Sequence, residues 1–91
     1  MRIRFLREAS DDLDAIYAYI AQDNPAAGAR VSEELWRKIA SSRDFPLRGR
    51  QGPLRGTRQL VASPYVIYYS ADEAQDEIVI YAVTHGAPAD E

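Results

Sequence analysis

Residues 65–83 read YVIYYSADEAQDEIVIYAV. Two runs rich in β-branched and aromatic residues, YVIYYS (65–70) and EIVIYAV (77–83), flank the polar stretch DEAQD (72–76). That arrangement predicts two strands joined by a turn. The runs are nearly continuous in apolar character, which suits central strands covered on both faces. One step toward the N-terminus, TRQLVA (57–62) is separated from the first run only by Ser63-Pro64, so a third strand precedes them in a meander.

Further back the periodicity changes. Leu13, Ile16, Tyr17 and Ile20 recur at helical spacing, and Val31, Leu35 and Ile39 form a second helical face flanked by Trp36. QDNP (22–25) divides the two helices. Asn24 is suited to the N-cap and Pro25 to the first helical position, where its missing N–H costs nothing. Ser10, Asp11, Asp12 and Asp14 are expected near the positive end of the first helix, and the second helix to end near FPLRG (45–49). So short a link predicts an antiparallel helical hairpin. Met1, Ile3 and Phe5 alternate with Arg2 and Arg4, the period of a half-buried opening strand. The expected fold is α+β, in the order β-α-α-β-β-β, with a helical hairpin packed on a small antiparallel sheet. Residues 1–91 are expected to form one domain.

Bulk properties narrow the function. The 91 residues contain no cysteine and one histidine, so thiolate metal sites are excluded and a zinc site is disfavoured. No cofactor is expected. No segment approaches the ~20 apolar residues of a membrane span, and MRIRFLREAS lacks the apolar run of a signal peptide. A cytoplasmic protein with no membrane partner is the expectation.

The formal net charge of −3 hides an asymmetry. Residues 37–58 hold seven basic side chains against the single acid Asp44, a local +6, and the remainder carries −9. A bipolar surface favours oriented docking over general adhesion to nucleic acid. The segment RGRQGPLRGTRQL (48–60) is the centre of this charge. Arg48 and Arg50 fall in a glycine-rich turn, where ordinary solvation competes with partner contact. Arg55 leads into the strand that begins the meander, and Arg58 lies on it, facing a partner. Phosphate tracking is usually accompanied by stacking aromatics, and none lies between Phe45 and Tyr65. Sequence-specific nucleic-acid binding is therefore not expected.

Other residues carry two readings each. Tyr65, Tyr68, Tyr69 and Tyr81 fit a core with hydroxyls reaching the rim better than a base-stacking platform. His85, near a strand end, fits a structural role or a general acid–base role. Asp11, Asp12 and Asp14 fit helix-end charge better than a metal site. Trp36 is either core or an anchor for a partner.

The blocks DDLDAIYAYIAQDNPAAG, FPLRGRQGPLRGTRQL, SPYVIYY and VTHGAP resemble, in order and at the usual separations, the ParE branch of the RelE/ParE toxin superfamily. The resemblance runs from about Phe5 to Pro88 and implies the same β-α-α-β-β-β fold. It implies the toxin of a bacterial type II toxin–antitoxin pair, causing growth inhibition and associated with plasmid stabilisation. Its implied partner is a cognate antitoxin, a ribbon-helix-helix DNA-binding protein with a disordered tail. The ParE branch poisons DNA gyrase by binding, whereas the mRNA-cleaving branch cuts message on the ribosome. In that second branch arginines stand on the strands of the cleft. Lining up LVASPYVIYY with that pattern puts Val61 and Val66 at those positions, and Pro88 where a further basic residue is expected. Loss of such cations removes charge stabilisation from phosphoryl transfer. Gyrase binding without catalysis is thus favoured. The alternatives are a ribosome-dependent mRNA endonuclease built on His85 and Arg58, and a degenerate toxin that only binds antitoxin. The His-x-x-Arg ending common in ParE-like chains stands here as His85-Gly86-Ala87-Pro88. The candidate partner-binding residues are Arg50, Arg55, Arg58, Trp36 and Tyr65.

Overall fold

A computed structural model describes residues 1–86. Strand β1 (Arg2–Phe5) leads into helices α1 (Arg7–Ala21) and α2 (Pro25–Asp44). Strands β2 (Arg50–Gln51), β3 (Arg58–Ala62), β4 (Tyr65–Asp72) and β5 (Glu77–His85) follow. The five strands lie side by side in the order β1-β5-β4-β3-β2. The meander β2 to β5 is antiparallel, and β1 joins β5 in parallel with Ile3 opposite Ile78. The α+β order stands, with two refinements: the sheet is mixed at β1, and Arg50 belongs to a two-residue edge strand.

β4 and β5 are the central strands because their apolar runs can be buried on both sides. Side chains alternate across the sheet. Tyr65, Ile67, Tyr69, Ile78, Ile80 and Val83 join Leu35 and Ile39 of α2 and Ala9 of α1 in one core cluster. Val66 and Val79 point the other way and are also buried. On that side Pro53, Leu54 and Thr57 line a depression with Tyr68, Tyr81, Ala82 and Thr84. Tyr68 faces Ala82 and Tyr69 faces Ile80, so Tyr81 is the extra residue of a β-bulge.

The helical hairpin follows its local signals. Asn24 Oδ1 accepts the Ala27 N–H at 3.0 Å, and Pro25 opens α2. The helices cross closely at Gly28, where a Cβ would meet Ala21 Cβ at 3.2 Å and the Tyr17 carbonyl at 3.3 Å. The start of α1 differs from the expected place. The helix begins at Arg7, directly after β1, so only Glu8 supplies negative charge in its first turn. The reason is the strand pairing: the Leu6 N–H donates to the Ile80 carbonyl at 3.0 Å, which fixes where the chain leaves the sheet. Asp12 therefore sits one turn too deep for helix-end charge. Its carboxylate accepts the Val83 N–H at 3.0 Å, on the part of β5 that extends past the end of β1.

Candidate functional site

The basic segment is displayed by a short crossing from α2 to the sheet. Phe45 caps α2, and the chain turns through residues 46–49 before β2. Arg58 and Tyr69 stand opposite each other on β3 and β4 and together hold this turn. The Tyr69 hydroxyl donates to the Pro46 carbonyl at 2.9 Å and accepts the Gly49 N–H at 3.1 Å. Arg58 Nη1 donates to the carbonyls of Gly49 at 2.9 Å and Leu47 at 3.2 Å. Gly49 is required by close approach: a Cβ would lie 2.7 Å from the Tyr69 hydroxyl and 2.9 Å from the Gln59 carbonyl. Tyr69 is thus core with its hydroxyl engaged at the rim, one of the two readings its sequence position allows.

This latch distinguishes the arginines. The Arg58 side chain is half-buried and engaged with backbone carbonyls, whereas Arg48, Arg50 and Arg55 are exposed. The turn also displays two large apolar side chains, Phe45 and Leu47, each 60% exposed. The Arg48 guanidinium lies 5.9 Å from the centre of the Phe45 ring. Composition points to charge here and passes over the exposed apolar pair, because FPL at a helix end reads equally well as helix-terminal packing.

The remaining candidates are distributed elsewhere. Trp36 is 51% exposed on α2 and rests against Phe5 with ring centres 5.1 Å apart. Together with Leu13, Tyr17 and Ser32 they border a groove between the helices. Tyr65 is buried, and His85 meets its ring edge-on at 5.5 Å. Beside them, the Gly86 N–H donates to the Pro64 carbonyl at 3.0 Å. The fold thus brings two of the sequence candidates, Tyr65 and His85, into contact.

Arg58 and His85 are not brought together. Arg58 pairs with Tyr69 and His85 with Tyr65, four residues along β4 and two strands apart. At ~3.3 Å per residue that is about 13 Å along the strand alone, well beyond the ~3 Å of a shared proton or phosphate. Both lie on the helix-facing side. Val61 and Val66 are direct partners on the opposite side of the sheet. Farther along β4, the Ser70 hydroxyl donates to the Tyr81 hydroxyl at 3.2 Å. Pro88 lies outside the described residues. Among the described residues no three His, Cys, Asp or Glu side chains cluster as a metal site requires, and no helix is long and apolar enough to cross a membrane.

The two-helix, five-strand arrangement is that of the RelE/ParE toxins. It superposes on the chromosomal ParDE toxin–antitoxin system from P. aeruginosa with a TM-score of 0.80 at 22% identity, covering 96% of this chain and 97% of that one. The intact E. coli RelBE toxin–antitoxin complex gives 0.70 at 15% identity, covering 97% and 98%. Residues 3–89 match the family described as ParE toxin of type II toxin–antitoxin system, parDE. The chain is 36% identical over 86 residues to the putative toxin Y4kP of Sinorhizobium fredii, covering 92% of this chain and 86% of that protein. It is 40% identical over 62 residues to toxin RelE2 of Caulobacter vibrioides, covering 67% and 70%. The chain belongs to the ParE toxin family of type II toxin–antitoxin systems.

Proposed function

We propose that this toxin acts by binding DNA gyrase, without chemistry of its own, and is neutralised by a cognate antitoxin. The observation that carries this is the Val61–Val66 pair. Resemblance to the mRNA-cleaving branch calls for arginines at those positions, and two directly opposed valines offer a phosphate no countercharge. An in-line phosphoryl transfer needs cations on the developing charge, and each is worth several kcal/mol, roughly a hundredfold or more in rate. The separation of Arg58 from His85 also argues against a substitute catalytic pair. The neighbouring solved structures include toxin–antitoxin complexes, which supports an antitoxin partner. That partner is expected to be a ribbon-helix-helix protein with a disordered tail, acting in the cytoplasm.

Two assays run side by side test this. Excess purified toxin should inhibit gyrase supercoiling or trap cleaved DNA, and added antitoxin should reverse the effect. In parallel, mapping 5′ ends of a translated message should show no toxin-dependent cuts. Normal gyrase turnover at excess toxin would reject gyrase as the target, and new cuts lost in His85→Ala would establish the endonuclease instead.

A further inference from the structure

We infer that the groove between α2 and the outer edge of β3 is a binding site for a small organic anion with an apolar body, a medium-chain or aryl carboxylate. The groove holds about 430 Å³, within the ~300–1,000 Å³ of sites that take small molecules. It exists because β2 is short. β2 pairs only with Arg58 and Gln59, so residues 60–62 of β3 have no strand on their outer side. Helix α2 runs beside that open edge without closing it, because a helix satisfies its main chain internally and cannot pair with a strand. Val31 and Leu35 supply one apolar wall, and Val61 and Pro64 the other. The buried Tyr65 lines the same space.

The charged groups decide which ligand fits. Arg37 and Lys38 border the groove from α2, with Glu34 the acid among its lining residues. Glu34 and Lys38 stand four residues apart, a spacing at which such side chains commonly pair on a helix. Among the described residues, however, the ion pairs are those of Met1, Arg2 and Arg4 with Asp76 and Glu77, so neither cation is paired with a described carboxylate. Both are exposed and can turn toward a ligand. Val31 and Lys38 are two helical turns apart, about 10 Å along the axis. A carboxylate held at Arg37 and Lys38 leaves its apolar body to lie between the two aliphatic walls, out of water on both sides. An organic cation fits less well, with two like charges against one acid. A nucleotide also fits less well, because it would bring several negative charges and a polar ring against those walls.

Titration of the ¹⁵N-labelled full chain with octanoate, followed by NMR, provides the test. Amide shifts should saturate with a dissociation constant on the order of 1 mM, and the largest should fall at residues 31–38 and 61–65. Octylammonium, with the same apolar chain and the opposite charge, should bind at least ~5-fold more weakly. The double variant Arg37→Gln/Lys38→Gln, in which both substituted side chains are exposed, should bind octanoate ~5-fold or more weakly than wild type. Val61→Ser, which trims the opposite wall, should bind it several-fold more weakly. Arg48→Gln/Arg50→Gln removes two exposed arginines that do not line the groove and should bind as wild type does. Shifts that fail to saturate, or that spread over the whole surface, would overturn the site. So would octylammonium binding as tightly as octanoate, or octanoate binding unchanged in either groove variant. An equal loss in Arg48→Gln/Arg50→Gln would overturn it too, because only long-range charge would then be at work. The octanoate–octylammonium comparison uses the wild type, so it decides the question even if a variant does not fold. Neither gyrase nor an antitoxin enters the experiment, so its outcome is separate from the toxin's target.

Discussion

Tyr65 and Tyr69 stand four residues apart on the same face of β4, and the fold uses them in different ways. In the middle of the strand Tyr69 is fully buried, and its hydroxyl both donates and accepts across to the 46–49 turn, beside an arginine that bonds the same turn. At the start of the strand the Tyr65 ring meets His85, and His85 is open to solvent. The arginines of the basic segment thus occupy two settings, Arg58 bonded to backbone carbonyls and Arg48, Arg50 and Arg55 exposed. The strand arginine, Arg58, secures the scaffold, while the turn it secures carries the apolar and cationic groups that face outward. Substitutions at the latch should act on stability, and substitution of the exposed His85 should hardly do so.

Gly49→Ala should disturb the latch most severely. Its methyl group would collide with the Tyr69 hydroxyl and the Gln59 carbonyl, so overpacking and loss of the latch together should cost about 3 kcal/mol in urea unfolding. An alanine variant with wild-type stability would show that the turn is not latched. Tyr69→Phe keeps the ring and removes only the hydroxyl, leaving the Gly49 N–H and Pro46 carbonyl without that partner. It should lose ~2 kcal/mol by the same measurement. Arg58→Met retains the apolar stem and forfeits two bonds to carbonyls at a half-buried site, for about 1–2 kcal/mol. Its effect should be smaller than that of Tyr69→Phe, since water can reach the carbonyls it leaves.

His85→Ala, by contrast, should change stability by less than ~0.5 kcal/mol, the ordinary range for an exposed substitution. It should also leave gyrase inhibition intact. A large loss of stability would mean that the Tyr65–His85 contact holds the fold as firmly as the latch does, and a large loss of inhibition would make His85 part of the target-binding surface. The contrast extends to the arginines: Arg48→Glu should leave unfolding within ~0.5 kcal/mol of wild type, whereas Arg58→Met should not.

Most of the fold was legible because its signals are local. Asn24-Pro25 announces a helix start through the hydrogen-bonding capacity of one side chain and the fixed φ of the next. The runs at 65–70 and 77–83 announce central strands through apolar composition, and pairing added only their outer residues, to Asp72 and His85. The start of α1 was less legible. Four oxygen-bearing side chains at 10–14 imitate a capping cluster, yet the Leu6–Ile80 bond from another element decided where the helix begins. The site was the least legible part. Arg58, Tyr69 and Gly49 are nine to twenty residues apart in sequence, and nothing in their spacing says that they meet.

The helical hairpin, the meander, the charge asymmetry and the valines at 61 and 66 needed nothing beyond the order of residues, because each depends on residue type or on neighbours a few positions away. The folded sheet was required before β1 could be placed parallel to β5, before Asp12 could be seen to serve a strand edge, and before Arg58 could be told apart from the outward-turned Phe45 and Leu47. Those outcomes depend on which backbone carbonyls and N–H groups are left without partners once the strands have paired. Such groups exist only after the sheet has formed, so no local pattern could have announced which side chains would satisfy them.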